Sequence, residues 1–129
     1  IVTHYRTKYP KICRFWRDIE KAFKFVTRYP GQECDLPRGL HFRNEDDCTF
    51  ITLPSGRDLR YEGARVVGSG RDETIKVPNE REKNWTYVWG GYLTENIIQA
   101  ICRDLLAEAM MDLKSQGVPI GLHVHDELI

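Results

Sequence analysis

No stretch of the chain approaches the ~20 consecutive apolar residues that a bilayer-spanning helix needs, so a membrane-embedded helical protein is excluded. No two of its four cysteines (Cys13, Cys34, Cys48, Cys102) form a C-x-x-C pair, which argues against a zinc ribbon. Their irregular spacing points to free thiols in a reducing compartment. There is no internal repeat and no low-complexity tract. With 129 residues the chain is too short for a complete (β/α)₈ barrel. It has neither an initiator Met nor a signal-peptide pattern at Ile1-Val2-Thr3-His4, and it stops inside an apolar run at Leu128-Ile129. Both ends read as cuts in a longer chain.

Net charge is also missing, with 19 basic and 19 acidic residues, but the charges are segregated. Residues 1–30 hold eight Lys or Arg and only Asp18 and Glu20 as acids, a net of +6. The neutral total therefore conceals a basic segment. Within it, the spacing predicts a helix from Pro10 to Arg28, with Pro10 in the first turn and Pro30-Gly31 as the stop. Ile12, Phe15, Trp16, Ile19, Phe23 and Val26 fall in one sector, and Arg14, Arg17, Lys21, Lys24 and Arg28 on the opposite one. Such a face is either plainly solvated or set against something anionic. Nucleic-acid phosphate is the commonest partner for a single-sign face.

Residues 31–90 read as β-rich. Strands are expected near Leu40–Arg43, Cys48–Leu53, Leu59–Tyr61, Ala64–Val67, Thr74–Val77 and Trp85–Trp89. Asn44–Asp47 and Pro54–Arg57 supply turns, and Gly68-Ser69-Gly70 a break. A second helix is expected from Leu93 to Gln116, C-capped by Gly117. Its apolar residues spread round most of the circumference, which predicts a buried helix. Two polar lines cross it. Asp104, Glu108 and Asp112 read as a solvent edge. Glu95, Gln99 and Arg103 offer a mixed donor–acceptor surface. The fold class expected is α+β, a small antiparallel sheet on one buried helix with the basic helix packed outside. Residues 1–30 and 31–129 form its two parts.

The last segment, Pro119 to His125, reads as a strand, followed by an acidic turn at Asp126-Glu127 and a return strand. Adjacent carboxylates on a tight turn suit a hard cation such as Mg²⁺. His123 and His125, one residue apart on a strand, also admit a metal-dependent hydrolase using His123, His125 and Asp126. A third reading is a non-catalytic nucleic-acid-binding module built on the basic helix.

The run Leu122-His123-Val124-His125-Asp126-Glu127-Leu128-Ile129 resembles the third palm motif of family A DNA polymerases, the DNA polymerase I type. The helix before it, from Leu93-Thr94-Glu95 through Gln99 and Arg103-Asp104, is similar to that family's helix before the hairpin, closest to the phage-type branch. Leu53–Arg57 with Tyr61, and Tyr9-Pro10 with Phe15-Trp16-Arg17, extend the resemblance over the whole chain. It implies template-directed addition of deoxynucleotides to a primer 3′ end, with two Mg²⁺ ions and a cytoplasmic location in a bacterial host. It implies Asp126 as metal ligand and Glu127 as its acidic neighbour. It places His125 against the primer terminus and Gln99 in the duplex minor groove, where a similar acceptor marks every base pair. Arg103, Arg14, Arg17 and Lys21 are then candidate contacts to primer–template DNA. The family's first metal-binding aspartate and its triphosphate-binding helix are absent here, which implies that this segment alone does not polymerise.

Overall fold

The computed structural model describes all 129 residues and is α+β. Helix α1 (Val2–Lys8) leads into α2 (Pro10–Arg28). Four strands follow as an antiparallel meander: β1 (Glu33–Leu36), β2 (Leu40–Glu45), β3 (Cys48–Thr52) and β4 (Asp58–Glu62). A second antiparallel sheet holds β5 (Arg65–Val67), β6 (Thr74–Asn79) and β7 (Asn84–Val88). Helix α3 (Gly90–Ser115) and a small hairpin, β8 (His123–Val124) with β9 (Glu127–Leu128), complete the chain. No helix is long and apolar enough to cross a membrane.

The basic helix is the centre of the molecule, not its outer layer. Ile19, Phe23 and Val26 are fully buried and Ala22 nearly so. Their stripe packs on β1, β2, β3 and β5, so one helix face closes both sheets. Fully burying each large apolar side chain contributes about 1.5–3 kcal/mol. Opposite the stripe lie Leu40, Phe42 and Ile51 from the first sheet, Leu53 just after β3, and Ile75 and Val88 from the second sheet. Residues of 1–30 and 31–129 thus share one core.

Polar groups inside this core are satisfied. Asn44 donates to the Thr49 hydroxyl at 2.8 Å, and Thr49 and Thr27 hydroxyls meet at 2.8 Å, joining the first sheet to α2. The β2–β3 connection is tighter than the expected four-residue turn. Glu45 pairs with Cys48, leaving Asp46 and Asp47 as a two-residue loop with φ of 48° and 63°. Two successive positive φ values match the right-handed twist of the flanking strands, and Asp tolerates them.

Helix α3 departs most from expectation. It begins at Gly90, three residues early, and only Gly90, Leu93 and Ile97 are buried. Ile98, Leu105 and Met111 are exposed. Its all-round apolar surface finds partners in this chain only over the first three turns, where Ala100 and Ile101 still pack on the core, so the helix is not buried as a whole. Gly90 is required where α3 starts. A Cβ there would lie 2.0 Å from the Trp16 carbonyl oxygen, so the two helices touch at backbone. The Glu20 carboxylate accepts the Gly90 N–H at 2.9 Å and caps a helix that has no side-chain cap of its own.

Gly90→Ala tests this crossing. In an open helix the change stabilises by roughly 1 kcal/mol. Here the neighbour is backbone and cannot yield, so overpacking reverses the sign, with a loss of about 3 kcal/mol. The urea unfolding midpoint reads it, and an unchanged or raised midpoint would contradict the close approach.

Candidate nucleic-acid interface

The turn Pro54–Arg57 and the strand β4 dock on α3 through polar contacts. The Arg57 Nε donates to Asp104 Oδ1 at 2.6 Å, and its Nη2 donates to the Ala100 carbonyl at 3.0 Å. The Ser55 hydroxyl donates to Asp104 Oδ2 at 2.6 Å. Asp104 is therefore a clamp between helix and sheet, not part of a bare solvent edge. The Ser55 hydroxyl above all holds its carboxyl below the usual aspartate range; burial opposes this, and the Arg57 guanidinium lowers it further. Further along, the Tyr61 hydroxyl accepts from Asn96 at 3.1 Å while its ring packs edge-on against Phe23. Burial pushes the Tyr61 phenol up.

Between β4 and α3 these contacts leave a groove of about 420 Å³. Arg57, Arg60 and Arg103 line it, with Asn96, Gln99 and Tyr61. Arg57 is paired with Asp104, and the exposed Arg60 with Glu62 at 3.1 Å, so Arg103 is the lining cation without an ion pair. Guanidinium groups beside an uncharged amide favour an anionic, hydrogen-bonding ligand. Gln99 is exposed and donates to Glu95 at 3.3 Å, one turn earlier on the same helix. The Glu95–Gln99–Arg103 line thus faces this groove through Gln99 and Arg103.

The C-terminal hairpin adjoins it. Arg103 Nη1 lies 3.4 Å from His123 Nδ1, the one side-chain hydrogen bond between the hairpin and the rest of the chain. The hairpin differs from expectation in two ways. Pro119–Leu122 is not a strand, and the two-residue loop is His125-Asp126, because Val124 pairs with Glu127. His125 takes φ +52° to close it. Beyond β9 the ladder continues, with Leu122 and Ile129 exchanging both backbone bonds at 3.0 and 2.9 Å. Asp126 and Glu127 are exposed, and the apolar residues beside them do not seal them: Val124 and Ile129 are exposed too.

With His125 in the loop, His123 and His125 no longer share a strand face, and His123 is turned to Arg103. No three His, Cys, Asp or Glu side chains come together anywhere as a metal-holding group. The paired-imidazole hydrolase therefore finds no ligand set. The same finding bears on Mg²⁺. Asp126 and Glu127 have the right donor chemistry for a hard cation, but two adjacent exposed carboxylates do not make a closed site.

The remaining candidates lie elsewhere. Arg14 lines a second groove, of about 460 Å³, with Lys11, Arg38, Phe15, Thr94 and Ile98, between α2 and α3. Arg17 and Lys21 are exposed on α2, line neither groove and make no ion pair. Lys24 and Arg28 are engaged instead: Lys24 with Glu20 at 2.7 Å and the Glu73 carbonyl at 2.9 Å, Arg28 with the Glu73 carboxylate. The structure thus gathers Gln99, Arg103 and the hairpin, and leaves Arg14, Arg17 and Lys21 on a separate surface. Arg57 and Arg60 were missed as groove residues. The 47-residue separation of Arg57 from Asp104 carries no local signal.

Asp104→Asn should lower stability at pH 7 by about 1 kcal/mol, the value of a charge-assisted bond discounted for exposed Arg57. A depressed carboxyl stabilises while ionised and loses this as pH falls through its folded value. The difference between wild type and variant should therefore shrink on acidification below the usual aspartate range. Chemical unfolding at a series of pH values checks it, and a gap that widens in acid would refute the clamp.

No family model matches the chain, and no solved structure matches it. The DNA polymerase of Bacillus phage SP02 is 36% identical over 135 aligned residues, covering 100% of this chain and 20% of that polymerase. The chain spans about a fifth of the length of this relative, and along all of its own length it is similar to a DNA polymerase.

Proposed function

We propose that the chain is a segment of a template-directed DNA polymerase of the phage-like family A type, carrying part of the palm and its flanking fingers. The observation that carries this reading is the groove between β4 and α3. There Gln99 stands among Arg57, Arg60 and Arg103, and Arg103 reaches the carboxylate-bearing hairpin. A polymerase must hold duplex of any sequence close to a reacting end. Guanidinium groups on phosphate and an amide on the common minor-groove acceptors meet that need without reading sequence.

In this reading the groove binds the primer–template duplex just behind the growing end. Gln99 checks pair geometry, Arg57 is held in place by Asp104, and Arg60 and Arg103 take phosphate. His125, at the tip of the hairpin, lies against the primer terminus. Asp126, with Glu127 beside it, offers a carboxylate to a divalent cation whose other ligands this chain does not supply. The segment accordingly contributes to a catalytic centre without forming one, and it does not polymerise alone. Its substrates are deoxynucleoside triphosphates on primer–template DNA, and its place of action is the cytoplasm of a bacterial host. The likeness to the SP02 polymerase over the full chain supports the assignment.

In the intact polymerase, Asp126→Ala should abolish nucleotide incorporation while primer–template binding is retained. Primer extension and equilibrium binding read the two separately, and surviving incorporation would sink the role given to Asp126. Arg103→Ala should weaken duplex binding to a similar degree for all sequences and reduce the salt slope by about 1. A sequence-selective loss would contradict a phosphate contact.

A further inference from the structure

We infer that the outer face of the second sheet is a stacking platform for unpaired bases of single-stranded DNA, formed by Trp85, Tyr87 and Trp89 with Lys76. The inference rests on the DNA polymerase reading, to which it adds a site for single-stranded substrate.

Trp85, Tyr87 and Trp89 alternate along β7 and its extension with Thr86 and the buried Val88. Residues two apart on a strand share a face. All three rings are open to solvent, at 41%, 67% and 50% of full exposure. Trp85 and Tyr87 stand uncovered on this strand face, and adjacent exposed aromatics mark a surface that a ligand can cover, while Trp89 beyond β7 also packs on Trp16 of α2. Their separation along the strand is about 6.7 Å, roughly twice the 3.4 Å rise of stacked bases. Bases can therefore lie on successive rings, or between them.

The charge on this face selects the ligand. Lys76 sits directly opposite Tyr87 in the register, with its Nζ 4.6 Å from the Trp85 ring centroid. It makes no ion pair, whereas Arg65 across the next strand is held by Asp47 through two bonds of 2.6 and 2.9 Å. The aromatic row also leads toward the basic segment. Trp89 packs edge-on against Trp16 at 5.6 Å, and Trp16 stacks on Tyr5 of α1 at 6.1 Å. Aromatic rings that take bases, beside cations that take phosphate, are the elements of sequence-tolerant single-strand binding. A protein strand added to the edge of β7 would pair through backbone and would leave the rings without a role.

Binding of the intact protein to oligo(dT), and to an abasic oligomer of equal length, tests the platform. Wild type should prefer oligo(dT). The double variant Trp85→Ala/Tyr87→Ala should lose on the order of ten- to a hundredfold for oligo(dT) and little for the abasic chain. Tyr29→Ala, an exposed aromatic elsewhere, should change neither. Lys76→Glu, which keeps the rings, should weaken both oligomers. Undiminished oligo(dT) binding by the double variant would overturn the inference and leave the row to a protein partner. So would a wild type that binds neither oligomer, or both alike. Primer extension by the intact polymerase that contains this chain reads the polymerase assignment on its own. Extension with ring-independent oligo(dT) binding defeats the platform alone, and ring-dependent binding without extension defeats the polymerase reading alone.

Discussion

The backbone contact between α2 and α3 governs where every other element can lie. Gly90 brings the start of α3 against the Trp16 carbonyl, and Glu20 closes the junction by accepting the Gly90 N–H. Any side chain at Gly90 would push α3 away from α2. Once α3 starts there, its first two turns drop Leu93 and Ile97 into the common core. The same start points the helix past the β3–β4 turn, where Asp104 meets Ser55 and Arg57. The groove with Gln99 and Arg103 exists because these two anchor points, one apolar and one ionic, hold α3 beside β4 at a fixed distance.

Around that junction the molecule divides its charge by neighbourhood. On α2, the cations near the second sheet are neutralised by Glu20 and Glu73. Those nearer its start, Arg14 and Arg17, remain free, as does Lys21 in the middle. An unneutralised patch on a helix whose other face is the core costs nothing in packing and raises the local concentration of anions. The groove beside β4 is different: Arg57 and Arg60 are paired with Asp104 and Glu62, and Arg103 is left without an ion pair. Arg57 is rigid because Asp104 and the Ala100 carbonyl hold it, so its remaining surface is presented without further loss of rotamer freedom.

Much of the architecture was legible in the chain. The boundaries of α2 followed from Pro10, Pro30-Gly31 and a sharply two-sided charge pattern, and most strands fell where β-branched and aromatic residues lie between turn formers. Burial order was not legible. A helix with a narrow apolar stripe became the centre because that stripe fits both sheets at once, while the more apolar α3 stayed half uncovered. The strand β1 was missed because Glu33-Cys34-Asp35-Leu36 has no strong strand formers. It is held by pairing with β2, and by the His41–Asp35 contact at 2.7 Å.

At the hairpin, the Asp126-Glu127 pair and its family resemblance were readable from eight consecutive residues. Its register was not, since a two-residue loop at His125-Asp126 and one at Asp126-Glu127 differ by one step of pairing. The same contrast holds across the chain. Local order reveals helices, turns and the chemical types of the candidate residues, because propensity and periodicity act between neighbours. That Arg28 meets Glu73 and Arg57 meets Asp104, which arginines share a groove with Gln99, and which aromatics stay open to solvent depend on contacts between residues more than forty positions apart in sequence or on the packing of whole elements. Those contacts come into being with the packing of α2, α3 and the two sheets, and nothing in local order encodes them.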